Sequence, residues 1–114
     1  MLTIDEIEAR IQATGRRIEE LLGDVQRAAE EAAVAEAEFK TAFAQVRLRS
    51  RAEAGGKVTV DHVDDLATVA TEDKRLRWLI AQNALTVCRE ALRARESQLD
   101  ALRSLMATYR GAGG

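Results

Sequence analysis

Residues 4–28 read IDEIEARIQATGRRIEELLGDVQRA, and they decide the fold class of this 114-residue chain. Apolar residues recur in this stretch at alternating spacings of three and four, and the pattern continues through the first half of the sequence. A seven-residue repeat kept over many turns holds one stripe of a helix against a partner, as in a coiled coil. The stretch therefore predicts a long helix with one apolar seam. Twelve of the fourteen seam positions are apolar, and the positions are Ile4, Ile7, Ile11, Thr14, Ile18, Leu21, Val25, Ala28, Ala32, Ala35, Phe39, Ala42, Val46 and Arg49.

The composition also favours long helices. The chain has no proline and 4% aromatic residues, while Ala, Glu, Lys, Leu and Arg together fill 62 of the 114 positions. This profile is typical of coiled coils and argues against a β-sandwich. No apolar run is long enough to predict a membrane span. The acidic start lacks the basic region of a secretory signal, so we expect a cytoplasmic protein.

Two glycines near the midpoint divide the chain into two halves. The segment Thr3-Ile4-Asp5-Glu6 fits a capping box that starts the first helix. Gly55 and Gly56 end this helix, because glycine is favoured just past a helix C-terminus. A second helix is expected to begin at Thr59 or Asp61. We predict one all-α domain over residues 1–110, with a helix over 3–53, a turn over 54–58 and a helix over 59–110, followed by a flexible tail over 111–114.

Two helices of similar length joined by a short turn predict a long antiparallel helical hairpin, a coiled coil within one chain. Folding the chain at the glycines brings opposite charges together, and such exposed pairs set register more than stability. Gly15 and Gly23 weaken the first helix, so a kink there would create a third helix. The expected groups of neighbours are Arg47, Arg49 and Arg51 with Asp61, Asp64 and Asp65; Lys74, Arg75 and Arg77 with Glu36 and Glu38; Arg89 and Arg93 with Glu19, Glu20 and Asp24; and Arg103 with Glu6 and Glu8.

The second helix carries two apolar stripes. The first stripe comprises Leu66, Val69, Leu76, Ile80, Ala84, Val87, Ala91, Ala94, Ala101 and Leu105. The second comprises Trp78, Ala81, Leu85, Cys88, Leu92, Leu99, Leu102, Met106 and Tyr109. Because a hairpin offers each helix one neighbour, the surplus stripe predicts assembly into a helical homo-oligomer. We assign the second stripe to that interface, with Trp78, Leu85, Leu92, Leu99, Leu102 and Met106 as its contact residues.

The residue patterns favour a non-enzymatic protein without a metal or cofactor. Cys88 lies within an apolar stripe with no histidine placed to activate it, so we expect a buried and inert thiol. His62 stands beside acidic residues at a helix start, where capping or solvent exposure is favoured over metal binding. No phosphate-binding loop, nucleophile elbow or zinc-protease motif occurs in the sequence.

Positive charge is concentrated before the predicted turn, although the whole chain carries a net charge of −2. Residues 39–60 hold five cationic side chains and one anionic side chain, a net charge of +4. Repeated around an oligomer, they would form a ring able to hold phosphates. The alternative is that Asp61, Asp64 and Asp65 neutralise them within the hairpin. The candidate nucleic-acid-binding residues are Lys40, Arg47, Arg49, Arg51 and Lys57.

Trp78 follows the basic segment Lys74-Arg75-Leu76-Arg77, which leaves two interpretations of its ring open. The indole can stack on a nucleic-acid base beside the cationic side chains. Its position in the seven-residue repeat instead favours a role as an anchor of the oligomer interface.

The chain around the predicted turn resembles the phage recombination mediator UvsY and its relatives. In that family a basic Lys-x-Arg-Leu segment precedes a glycine-rich turn, and a Val-x-x-x-Asp-Lys segment and a tryptophan follow. The corresponding residues here are Gln45-Val46-Arg47-Leu48 with Arg49, Arg51 and Gly55-Gly56, then Val69 to Lys74, Trp78, Cys88, Ala91-Leu92 and Ala101-Leu102-Arg103.

This resemblance implies a function. Its members are small helical oligomers that bind single-stranded DNA and help a recombinase to displace single-strand-binding protein. The resulting hypothesis is a phage-type recombination mediator, working in the cytoplasm of a bacterial host, whose partners are its own copies, single-stranded DNA, a recombinase and single-strand-binding protein. The alternative is an oligomeric coiled-coil scaffold, adaptor or inhibitor that acts by protein–protein contact without nucleic acid.

Overall fold

The computed structural model describes residues 1–55 and 57–113, and almost all of them are helical. Helix α1 spans Ile4–Glu53, α2 spans Val60–Ala70 and α3 spans Glu72–Gly113. No strand occurs within the described residues. The predicted all-α class is therefore confirmed.

Helix α1 begins at the predicted cap. The backbone N–H of Glu6 donates to Thr3 Oγ1 at 3.1 Å, and the N–H of Ile7 donates to the Thr3 carbonyl at 3.0 Å. These bonds satisfy donors that a helix N-terminus otherwise leaves without partners. Helix α1 then continues unbroken past Gly15 and Gly23 to Glu53, so neither glycine creates a third helix.

The predicted seam is the least exposed face of α1. Its positions from Ile7 to Val46 are buried or half-buried, whereas Ile4 and Arg49 at its two ends are exposed. At the C-terminal end of α1, the half-buried residue on this face is Ser50 instead of Arg49. The fully buried seam positions are Ile7, Thr14, Leu21, Ala28 and Ala32.

Helix α1 ends at Glu53, two residues before the first glycine of the midpoint pair. Gly55 has a φ of +62°, a left-handed conformation in which a side chain would be strained. Its N–H donates to the carbonyl of Ala52, and the N–H of Lys57 donates to the carbonyl of Ala54. The rest of the predicted turn includes Gly56, which lies outside the described residues.

Helix α2 begins where the sequence predicts the second helix. Thr59 is its N-cap, and the Thr59 hydroxyl accepts a hydrogen bond from the N–H of His62 at 3.2 Å. The side chain of His62 is exposed in the first turn, in agreement with the interpretation that the sequence favours. The acidic side chain of Asp61 stands at the same end, where the helix dipole favours negative charge.

The single helix predicted over residues 59–110 is divided at Thr71. The Thr71 hydroxyl donates to the Ala67 carbonyl at 2.6 Å, and the Thr71 N–H donates to the same oxygen at 3.1 Å. Competition of this kind loosens a helix. Thr68, two residues before the end of α2, and Thr108, inside α3, make the same side-chain bond without a break at their own positions. Thr71 differs from them in being 3% exposed, which holds its side chain in place.

Helix α3 begins at Glu72 and continues to Gly113, beyond the predicted end at Arg110. The tail predicted over residues 111–114 is thus helical through Gly113, and Gly114 lies outside the described residues. Glycine weakens a helix without preventing it, which is why this end is hard to place from sequence.

Contacts between Cα atoms group the chain into two units. Unit 1 comprises residues 1–27 and 86–114, and unit 2 comprises residues 28–85. Each unit therefore holds part of α1 and part of α3, and α2 belongs to unit 2.

Candidate interaction surfaces

The core of unit 1 joins the first turns of α1 to the last turns of α3. Ile7 is fully buried there and packs with Leu102 and Met106, which are 8% and 5% exposed. An exposed ion pair joins Glu8 to Arg110, with 3.6 Å between Oε1 and Nη2. Arg103, which the sequence predicts as a neighbour of Glu8, lines a groove together with Glu8 and Arg110. The half-buried residues around this core are Leu2, Ile11, Leu105 and Tyr109.

Other acidic residues of α1 in unit 1 are paired along their own helix. Glu20 accepts from Arg17 at 2.9 Å, and Asp24 pairs with Arg27. The sequence expected Arg89 and Arg93 as neighbours of these two carboxylates. Pairs three residues apart on one helix need no second helix, which gives them an advantage over exposed pairs between helices.

Unit 2 is centred on an aromatic contact between α1 and α3. The rings of Phe39 and Trp78 stack, with centroids 5.5 Å apart and an interplanar angle of 20°. Phe43 packs against Phe39 at 5.8 Å. The indole Nε1 of Trp78 is buried and has no hydrogen-bond partner within the described residues. Trp78 is thus half-buried in its own unit, with its ring stacked on Phe39.

The residues assigned to the oligomer interface lie on the inner face of α3. Trp78, Leu85, Leu92 and Leu99 are half-buried within the single chain, and Leu102 and Met106 are buried. Their own chain thus covers these side chains in whole or in part, and their role in an oligomer interface stays a prediction. The sequence feature that indicates this inner face is an unbroken seven-residue spacing of large side chains: Trp78, Leu85, Leu92, Leu99 and Met106.

Part of the first stripe forms an open surface in unit 2, together with Leu79, which belongs to neither predicted stripe. Apart from Val60 at the start of α2, five large apolar side chains of α2 and α3 in unit 2 are exposed, by 42–75%. We call them the outer stripe. Its residues are Leu66 (44%), Val69 (75%), Leu76 (55%), Leu79 (42%) and Ile80 (61%).

The outer stripe keeps one face across the break at Thr71. On the inner face, Ala67, Thr71, Lys74 and Trp78 follow one another at spacings of four and three, and all are buried or half-buried. The N–H of Arg75 donates to the Thr71 carbonyl at 3.0 Å, so helical bonding resumes at once. Residues of the outer stripe at seven-residue spacing therefore share a row on the opposite face.

Arg47, the first arginine of the basic segment, forms an ion pair within unit 2. Its Nε lies 2.9 Å from Asp64 Oδ1, and both atoms are shielded from solvent. The pair lacks hydrogen-bond alignment, since neither atom has a hydrogen-bond partner within the described residues. The guanidinium also lies over the Phe43 ring, 5.9 Å from its centroid. Neutralisation by Asp64 is the alternative that the sequence left open, and it applies to this residue.

The other candidate phosphate-binding residues remain at the surface. Lys40 pairs with Glu36 on its own helix at 2.6 Å. Arg49, Arg51 and Lys57 are exposed. Asp61 and Asp65 in the following segment are exposed as well.

The remaining candidates for chemistry are isolated side chains. Cys88 is a free, half-buried thiol. Within residues 1–55 and 57–113, no group of three or more His, Cys, Asp or Glu side chains is arranged to hold a metal ion. None of the described helices combines the length and apolar character that crossing a bilayer requires.

The fold and surfaces define an all-helical protein with an apolar inner seam and an exposed apolar stripe. The chain matches no known family model, no curated protein and no solved structure.

Proposed function

We propose that this protein is a self-associating helical scaffold or adaptor that acts through protein–protein contacts. The observation that carries the proposal is the outer stripe, in which five large apolar side chains lie in water on one helical face. Contiguous apolar surface of this kind marks interaction sites, whereas single exposed apolar residues are common on any surface. Opposite this stripe, α3 already packs its inner face within the chain.

The proposed scaffold is an antiparallel hairpin. In unit 1 the start of α1 contacts the end of α3 through Ile7 and Met106. In unit 2 the end of α1 contacts α2 through the pair of Arg47 with Asp64. Both contacts agree with a chain that folds back at Gly55.

The energy available from the outer stripe is suited to reversible association. Each side chain is about half exposed, so covering the remainder returns roughly 1 kcal/mol per residue. Two stripes packed together then contribute about 10 kcal/mol. The loss of free movement when two proteins associate costs about 4–15 kcal/mol, which offsets much of this gain. At the low end of this cost about 6 kcal/mol remains, which corresponds to a dissociation constant of roughly tens of micromolar, so we expect reversible association and not an inseparable complex.

Light scattering of the full chain tests this function. The mass of one chain is 12.5 kDa, and we expect a multiple of this value at concentrations above roughly tens of micromolar. A mass of one chain at every concentration examined would rule out the self-associating scaffold.

A second candidate function is the binding of single-stranded DNA by a recombination mediator. The specific observation in its favour is that Arg49, Arg51 and Lys57 are exposed together around the end of α1. In that role the protein would hand DNA to a recombinase and assist the displacement of single-strand-binding protein, as the resemblance to UvsY implies. We rank it second because Arg47 is held by Asp64 and Lys40 by Glu36.

Fluorescence anisotropy with a labelled oligonucleotide separates the two functions. If three cations contact phosphates, log affinity falls against log salt with a slope of about −2. The combined substitution of Arg49, Arg51 and Lys57 by Ala should abolish binding, whereas replacing exposed Arg10 and Arg16 should preserve it. An absence of binding at low salt, or equal loss in both variants, would exclude this candidate.

A further inference from the structure

The outer stripe has a direction, because the charges along it are distributed unevenly. Residues 61–73 of α2 and the start of α3 carry five acidic side chains and no basic one. The next four residues carry Lys74, Arg75 and Arg77. Arg75 and Arg77 are exposed. The stripe thus runs from an acidic end to a basic end.

One row of the outer stripe also has a limited length. This row contains Val69 and Leu76 at seven-residue spacing, and its next positions are Asn83 and Glu90. The apolar character of this row is therefore confined to about two turns on either side of Thr71. A partner must match a short apolar surface with opposite charges at its two ends.

We propose that the partner on the outer stripe is a second copy of this chain, packed stripe to stripe in the antiparallel orientation. This inference rests on the proposed self-association and specifies its surface and geometry. Antiparallel packing places the acidic end of each stripe beside the basic end of the other copy. Parallel packing would place like charges side by side, and opposed like charges are unfavourable.

The antiparallel arrangement is also closed. A two-fold axis makes the same patch serve both copies, so each outer stripe is covered once and none is left at an end. Val69 and Leu76 of one copy then lie near the centre of the contact, where water is excluded. Central, well-packed apolar side chains contribute most to association.

Substitution of Leu76 tests the surface, because the chain offers a matched control. Leu76 and Leu22 are 55% and 53% exposed, and Leu22 lies on α1 in unit 1. Leu76→Lys should raise the dissociation constant of self-association at least about tenfold, since each interface would bury two ammonium groups. Leu22→Lys should keep the wild-type value. Circular dichroism checks that both variants remain helical.

The outcomes distinguish this inference from the proposed function. A wild-type chain that is monomeric removes both. A wild-type chain that self-associates, with Leu76→Lys associating equally well, leaves the scaffold in place and overturns the outer stripe as its interface.

A distance measurement tests the orientation. Asn83 is exposed on α3, beyond one end of the stripe, and carries a spin label as Asn83→Cys in a Cys88→Ser background. Antiparallel packing centred between Leu66 and Ile80 separates the two labels by roughly 30 Å along the axes, at 1.5 Å per residue. Parallel packing brings them to about 10 Å, the spacing of two helices. The longer distance is the expected result, and the shorter one would overturn the antiparallel arrangement.

Discussion

At the scale of single residues, Arg47 decides how the basic segment is interpreted. A guanidinium that faces Asp64 at 2.9 Å, in part shielded from solvent, already has a counter-charge. To bind a phosphate it must give up that partner, which lowers the gain from a new contact. The sequence shows five cations in this segment, but the structure leaves Arg49, Arg51 and Lys57 as the exposed ones without a described ion pair.

The strength of the Arg47–Asp64 pair can be measured by a double-mutant cycle in urea unfolding. Both side chains are more than a third exposed, so we expect a coupling energy of about 0.5–1 kcal/mol with the alanine variants. The exposed pair of Lys40 with Glu36 serves as the control, and its coupling should be about 0.3–0.5 kcal/mol. Equal coupling in both pairs would contradict the shielding of the Arg47 contact.

Trp78 gives a second prediction at this scale, because its ring is stacked while its N–H has no described acceptor. Trp78→Ala should lower the free energy of unfolding by about 2–3 kcal/mol, below the range for a fully buried tryptophan. Trp78→Phe should cost less than about 1 kcal/mol, since it retains a ring and removes a buried donor without a partner. Urea unfolding followed by circular dichroism measures both. A Phe variant as unstable as the Ala variant would refute this account.

At the scale of elements, Thr71 shows that a helix break can be a local event within a continuous face. The inner face keeps its seven-residue spacing through Ala67, Thr71, Lys74 and Trp78, although α2 ends and α3 begins there. The break therefore changes backbone hydrogen bonding without changing which side chains face α1. It also keeps Val69 and Leu76 in one row of the outer stripe.

Replacing Thr71 should join α2 to α3. In Thr71→Ala the competing hydroxyl is gone and alanine has the highest helix propensity, so amide protection from hydrogen exchange should rise at Glu72, Asp73 and Lys74. Thr68→Ala is the matched control, because Thr68 makes the same bond in the last turn of α2 with its side chain exposed. We expect no comparable change around residue 68. Unchanged protection at 72–74 would show that the hydroxyl does not cause the break.

The seam of α1 predicts a contrast between two isoleucines one turn apart. Ile7 is fully buried against Leu102 and Met106, whereas Ile4 is 42% exposed. Ile7→Ala should lower the free energy of unfolding by about 2–5 kcal/mol, and Ile4→Ala by less than about 1 kcal/mol. Chemical denaturation measures both. Similar losses in the two variants would mean that the seam does not begin at Ile7.

At the scale of the whole molecule, the sequence predicts where the helices lie better than it predicts which faces pack together. Thr3, Gly55 and Thr59 mark helix ends through side-chain or backbone chemistry that acts locally, and the structure uses all three. The seam from Ile7 to Val46 follows from its period alone. Thr71 is different, because its effect depends on being buried, and burial is a tertiary property that spacing does not reveal.

The assignment of the two stripes required knowledge of which one packs within the chain. Both stripes are apolar. Apolar character predicts that a helix face is covered, but it does not identify whether the same chain or another one covers it. Trp78 stacks on Phe39, which lies 39 positions earlier, and this contact packs the start of its stripe within unit 2. The outer stripe then remains, and its large members are Leu66, Val69, Leu76, Leu79 and Ile80. The same limit applies to Arg47, whose carboxylate partner was one of three candidates.

The melting temperature as a function of protein concentration, followed by the fluorescence of Trp78, tests the central claim of self-association most directly. An assembly that forms only from folded chains gains stability with concentration. For a dimer of this size we expect a rise of about 5 °C over roughly a hundredfold increase in concentration. A melting temperature that stays constant over that range would contradict self-association of the folded chain.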